Sequence, residues 1–288
     1  MASTVCSTSF SQWKKSCTEN TLLDFYYKFL VKKGTVIATL PEDLADLSTL
    51  TDLIQSETVI PLPKIVQIDR DDKETEYHEY GSGEKKLKMP AVRRDTNHVL
   101  LPLCSTSKLR TLDATEWEVI VMDENGNLAV REVASDDFRG FPINMDINLV
   151  DWAMGYTTPI YITYKNSSLF DDAGVVVECD FTAQDVVDAA LEEVTLEVVG
   201  TPTDTELVVK VYGTCGINSS GVKEFAVTGL VAADFEASSG TVSSVTEVAG
   251  TYTFVTSALA TGTFGLKAPA SMTTSGYKGG NSLAITIT

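Results

Sequence analysis

Two histidines, His78 and His98, are all the imidazole the chain offers. A Ser-His-Asp or Cys-His centre needs one of them. His78 lies in a polar stretch between Glu76 and Glu79, and His98 follows Asn97 at the edge of an apolar run. No GxSxG nucleophile elbow occurs in the sequence. Both histidines are therefore expected to be solvated. The acidic pairs Asp136/Asp137 and Asp171/Asp172 have the residue types of a divalent-ion site or a carboxylate dyad, but they fall in loop-like segments and read as solvated turns. Asp123–Asn127 superficially has the form of a calcium loop, without the glycine at the sixth loop position or the bidentate Glu at the twelfth. Its Asn125-Gly126 step is the strongest short signal for a hairpin turn. Gly81-Ser82-Gly83 precedes Lys85 and Lys86 without the strand-then-helix frame of a phosphate loop. The cysteines, Cys6, Cys17, Cys104, Cys179 and Cys215, are odd in number and none pair at CxxC spacing, which argues against a disulfide framework and a zinc site. The expectation is no catalytic centre, no cofactor and no metal.

Charge narrows the partners. The net charge is −18, and residues 101–190 carry most of it, with 5 basic against 16 acidic side chains. A protein that grips nucleic acid through a patch needs the reverse sign. An acidic surface still matters near DNA, because it repels the phosphate chain and lets it slide. No run reaches the roughly 18 apolar residues of a spanning helix, so no membrane is expected. The first residues, MASTVCSTSFSQWKKS, have no apolar core of signal-peptide type. Synthesis and assembly in the cytoplasm are the expectation.

The elements that must position any site follow from periodicity. At 288 residues the chain is long enough for about two domains of roughly 100–200 residues. Residues 18–34 read as a helix: Thr18 or Asn20 caps it, and Leu22, Phe25, Tyr26, Phe29 and Leu30 share one face. A strand over Thr35–Leu40 should follow, then a second helix from Pro41 to Gln55 with Leu44, Leu47, Leu50, Leu53 and Ile54 as its stripe. Residues 57–68 are extended and interrupted by Pro61 and Pro63. Residues 69–88 are almost wholly polar and read as a long loop, a length usually kept for function. Strands are predicted over His98–Cys104, Trp117–Met122, Leu128–Val133, Ile143–Leu149, Ile160–Tyr164 and Val175–Phe181, and Thr182-Ala183-Gln184-Asp185 opens a short helix. Residues 192–288 carry seven short strand patterns and no helix: Thr195–Val199, Glu206–Tyr212, Lys223–Thr228, Val242–Glu247, Thr251–Thr256, Gly262–Lys267 and Ser282–Thr288. That spacing is the signature of a β-sandwich. The chain is thus expected to be mainly β, with an α+β domain over 1–191 and a sandwich over 192–288.

Aromatic residues mark candidate assembly contacts. Tyr77, His78 and Tyr80 sit in the polar loop, and Phe138, Phe141, Trp152 and Tyr156 punctuate an irregular stretch between strands. The second group reads first as core; the alternative is anchoring at a subunit contact, where aromatics are enriched.

The pattern resembles virion structural proteins of tailed bacteriophages. Gly229-Leu230, Asp234-Phe235 and Gly250-Thr251-Tyr252-Thr253-Phe254 carry most of it, being similar to the immunoglobulin-like modules appended to phage tail tube, capsid and fibre proteins. The N-terminal part is similar in layout to phage tail tube proteins, which set a β-barrel or sandwich domain beside flanking helices and a long polar loop. The resemblance implies a tail tube or tail ring subunit: a homo-oligomer of stacked rings, in contact with other virion proteins, whose acidic channel passes DNA as non-specific cargo and whose Ig-like domain projects. A capsid decoration or head-fibre protein is the sister reading. A carbohydrate-binding or adhesive surface module and a polysaccharide depolymerase are readings from other classes.

Overall fold

The computed structural model describes residues 27–71, 76–79, 85–89, 92–100, 109–134, 137–148, 157–165, 173–213, 225–274 and 276–287. The chain divides into two compact units, residues 1–189 and 190–288. Both are built mainly of β-strands, and the described residues include three α-helices. No helix among them is long and apolar enough to cross a membrane.

The first strand among the described residues of the first unit is β1, Tyr27–Lys32. This corrects the expected helix over 18–34, whose earlier residues lie outside the described ones. Strand β1 runs between β2 (Val59–Pro61) and β7 (Trp117–Met122), antiparallel to both. Five of its six residues are buried. A strand covered on both faces loses its polar alternation, and its apolar run then mimics a helix stripe. Thr35–Leu40 is no strand either; it contributes a single bridge, Ala38 to Phe138. The expected helix over Pro41–Gln55 is two helices, α1 (Pro41–Leu44) and α2 (Leu47–Gln55). Asp46 divides them: its backbone is extended and its carboxylate accepts the Ser48 N–H at 2.8 Å, as an N-cap does.

The polar stretch is not a loop throughout. Strands β3 (Ile65–Arg70) and β6 (Arg94–Leu100) pair antiparallel, and between them β4 (Glu76–Glu79) pairs β5 (Lys85–Met89). The registers, Arg70 with Asp95 and Glu76 with Met89, are in phase, so the described strands of the two pairs follow one antiparallel register. The remaining strands are β8 (Asn127–Ala134), β9 (Asp137–Arg139), β10 (Phe141–Ile147), β11 (Thr157–Tyr164) and β12 (Gly174–Glu178). The main path is β12-β8-β7-β10-β11-β6-β3, with β1 and β2 attached through β7 and β9 through β8. The hairpin turn read from Asn125-Gly126 joins β7 to β8. Gly126 has φ +87°, and a Cβ there would meet the Phe181 carbonyl at 2.9 Å, so only glycine fits without displacement. Helix α3 (Ala183–Asp188) carries the capping box of Thr182 and Asp185.

The core shows how the sheet bends. Leu30 on β1, Ile65 on β3, Val99 on β6, Trp117 and Val119 on β7, Phe141 and Ile143 on β10, and Ile160 and Ile162 on β11 form one apolar cluster. Along the pairing path β1 stands four strand steps from β6, roughly 19 Å in a flat sheet. Their side chains nonetheless touch, so the sheet curls around the cluster.

The second unit has a five-stranded sheet in the order β16 (Thr241–Val248), β17 (Thr251–Ser257), β14 (Glu206–Gly213), β13 (Glu192–Val198), β19 (Tyr277–Gly279). A three-stranded sheet runs β15 (Phe235–Ala237), β18 (Gly262–Leu266), β20 (Leu283–Ile285). Both contribute to one core, with Leu196, Val209, Tyr252 and Phe254 from the first and Phe235, Phe264 and Ile285 from the second. Of the expected strand Lys223–Thr228, the described part makes only a bridge from Ala226 to Tyr212.

Candidate functional site

Two features of the first unit exceed what packing alone requires. The first is the hairpin β4–β5. Among the described residues its strands pair only with each other. Its register sets His78 opposite Lys86, Tyr77 opposite Leu87 and Glu79 opposite Lys85. An isolated two-stranded hairpin is marginal in water. Its outer edges, like those of β3 and β12 at the ends of the main sheet, carry backbone groups that another strand can take up. Val66 on β3 and Leu100 on β6 are exposed apolar residues on the neighbouring strand pair.

The second feature is a polar layer inside the curled sheet. Lys28 on β1 is wholly buried. Its Nζ donates to Asp95 Oδ2 at 2.6 Å and to Asn97 Oδ1 at 2.7 Å, both on β6. The Tyr164 hydroxyl donates to Asp95 Oδ2 at 3.3 Å, and the Tyr164 ring lies 6.0 Å from Nζ. Arg93 stands beside them, with Nε 3.9 Å from Asp95 Oδ1 and its guanidinium over the Tyr164 ring. The Asn97 amide donates to the Ile160 and Asp95 carbonyls, which fixes its orientation. Burial lowers Lys28 to about 8, against the opposing pull of Asp95. Burial likewise pushes the Tyr164 phenol far above its ordinary value. Charged groups are seldom fully buried unless paired, and this layer meets that condition.

His98 is not solvated, contrary to expectation. It is buried, with Nε2 3.1 Å from Asp69 Oδ2 and Nδ1 3.2 Å from Thr157 Oγ1. Carboxylate, imidazole and hydroxyl stand in the order of a nucleophile triad. Thr157 is itself buried, in strand β11 opposite Leu100, so its hydroxyl meets no substrate there. The row ties β3, β6 and β11 together on the face opposite the Lys28 layer.

The structure disperses the other predicted residues. Phe138 and Phe141 are buried in the chain's own interior and present no surface to a second copy. Tyr77 and His78 lie on β4. Tyr80, Trp152 and Tyr156 fall outside the described residues. Of the acidic pairs, Asp137 forms an ion pair with Arg139 at 2.8 Å, while Asp136, Asp171 and Asp172 are outside the described residues. The Asp123 carboxylate is taken by its own turn, accepting the N–H groups of Asn125 and Asn127 at 2.8 and 2.9 Å and the Asn127 side chain at 2.8 Å. Among the described residues no cluster of His, Cys, Asp and Glu is placed to hold a metal ion. Cys179 is a free thiol pushed up to about 12 by burial, which makes it a poor nucleophile.

Sequence reasoning missed the Lys28 layer because Lys28 was placed on a helix. The usable signal was a lysine inside the run Tyr-Lys-Phe-Leu-Val, combined with alternation of Asp95, Asn97 and Val99 on one face of the next long strand. No protein-family model matches the chain, and neither does any curated protein or solved structure.

Proposed function

We propose that this chain is a virion structural protein, a tail tube or tail ring subunit that assembles with copies of itself around an acidic channel for DNA. The observation that carries the reading is the hairpin β4–β5, which pairs with no other strand among the described residues and is in register with β3 and β6 at the margin of the main sheet. A neighbouring subunit that accepts this arm satisfies its backbone edges by strand addition. A ring of such contacts is closed and heterologous, so each subunit gives an arm and receives one. The concentration of acid in residues 101–190 supports a wall that DNA slides past without sticking. The curled sheet of the first unit supports a barrel-like tube domain, and the two sheets with one core in the second support an Ig-like sandwich.

Negative-stain imaging and native mass of the purified full chain test the proposal. Rings or stacked tubes are expected at high concentration. Trimers or monomers that decorate purified heads would move the protein to the capsid-decoration class, and a chain that stays single and is missing from particles would sink both. Limited proteolysis sharpens the role of the arm: residues 69–88 should be cut in the monomer and protected in the assembly, and equal cutting in both would remove the arm from the interface.

A further inference from the structure

We propose that Lys28 Nζ and the side-chain amide of Asn97 join in an intramolecular isopeptide bond, with Asp95 as the proton carrier. The three groups meet in the layer described above, across strands that share no backbone pairing. Nζ stands 2.7 Å from Asn97 Oδ1, so the amide carbon is at most one C=O length, about 1.2 Å, further away. Near-attack contacts are roughly 3–3.5 Å, which leaves only a small rotation to make.

The surroundings ease the loss of a proton from Nζ. Nζ makes two hydrogen bonds to side-chain oxygens, and two N–H groups with one lone pair is what –NH2 possesses. The Tyr164 ring, 6.0 Å from Nζ, pulls the other way, because an aromatic face favours the cation. Leu30, Val99 and Ile162, each two residues from a member of the layer on its own strand, belong to the apolar cluster and keep water away. Burial acts on Lys28 towards proton loss. The Asp95 carboxyl touches Nζ through Oδ2, while Oδ1 accepts no hydrogen bond from the described residues. Oδ2 is the oxygen placed to take the proton that the amine gives up.

The step balances without any outside reagent. A proton moves from the ammonium to Asp95 across the 2.6 Å contact, leaving a neutral amine and a carboxylic acid. The Nζ lone pair attacks Cγ of Asn97, and the Asp95 proton goes to Oδ1. The carboxylate then takes a proton from the attacking nitrogen and delivers it to Nδ2. The C–Nδ2 bond breaks, ammonia leaves, and the proton on Oδ1 returns to Asp95 as the carbonyl reforms. Asn97 rather than Asp95 is the electrophile, because a carboxylate resists attack and is needed for the proton transfers. The product fixes β1 covalently to β6, closing a loop between residues 69 apart in sequence. A subunit pulled along a tail would then be unable to lose β1.

Intact mass of the folded full chain is the first test: it should be lighter than the sequence by one ammonia. A succinimide at Asn125-Gly126 would give the same loss, so peptide mapping decides. Trypsin does not cut after an acylated lysine, and it should release a branched peptide joining the segment through Lys28 to the segment beginning at Asp95. Asp95→Ala and Lys28→Arg should each restore the full mass, with folding checked by circular dichroism. A wild-type chain at full mass, a loss mapped to Asn125, or a cross-link that persists in Asp95→Ala each overturns the proposal. The wild-type measurement stands even if a variant fails to fold.

Discussion

The two units solve the same problem with different interiors. The first buries Lys28, Asp95, Asn97, Glu118 and His98 on the two faces of its sheet, each held by specific partners. The second fills its core with Phe235, Tyr252, Phe254 and Phe264, whose rings pack at centroid distances of 4.7–6.2 Å in tilted, edge-on and stacked pairs. Its buried charge is Asp234, and that carboxylate is met by the backbone N–H groups of Val231, Thr273 and Thr274. A core of rings is tolerant, because its energy scales with the area it hides. A core of charges is exacting, since a lost partner leaves an uncompensated ion. The exacting interior lies in the unit that carries the candidate assembly arm, where a unique arrangement of strands matters most.

The largest expected effects test that contrast directly. Lys28→Ala leaves the Asp95 carboxylate buried beside an empty space and should cost about 3–5 kcal/mol. Phe254→Ala should cost a similar amount, about 3–5 kcal/mol, by opening a cavity. The difference lies in where each loss is felt. Trp13, Trp117 and Trp152 all belong to the first unit, so tryptophan fluorescence during urea unfolding should shift for Lys28→Ala and stay put for Phe254→Ala. A shift in both would mean that the units do not unfold independently.

A middle-sized effect comes from acid. Burial raises the Asp234 carboxyl, but the hydrogen bonds from Val231, Thr274 and Thr273 together outweigh it and hold it below its ordinary value. The unfolded chain therefore binds this proton at a higher pH than the folded one. The stabilisation is present above the unfolded carboxyl value, about 3.9, and is lost as pH falls through the lower folded value. Asp234→Asn should remove roughly 1.5–3 kcal/mol at neutral pH and flatten the acid limb of the second unit's stability curve. An unchanged acid limb would assign that dependence to other carboxylates. The smallest effect is expected at Lys64 and Glu124, an ion pair at 2.8 Å with both side chains more than half exposed. Lys64→Ala should leave the urea midpoint close to that of the wild type, and closer still in high salt.

How much was legible follows the same line. The hairpin of β7 and β8, the capping box at Thr182 and most strands of the second unit could be read because turn chemistry and alternation were local. Strand β1 could not, because Leu22, Phe25, Tyr26, Phe29 and Leu30 fit a helix stripe and only the partners β2 and β7 decide otherwise. Strands β4 and β5 were hidden by polarity: Glu76, His78, Lys85 and Lys86 give no apolar rhythm. The Lys28 layer was invisible for a third reason. Its members are 67 and 69 residues apart, and nothing short of the curled sheet brings them together.

The second unit holds its opening strand with its closing segment. Strand β13 lies parallel to β19, and the Asn281 side chain both accepts from the Leu196 N–H and donates to the Leu196 carbonyl, at 2.8 and 3.0 Å. A ribosome adds roughly 5–20 residues per second, so β13 must wait several seconds for these partners to be made. During that interval β13 is paired through β14 alone, and its other edge is open. Translation, rather than sequence alone, thereby sets how long this module is open to pairing with the wrong chain.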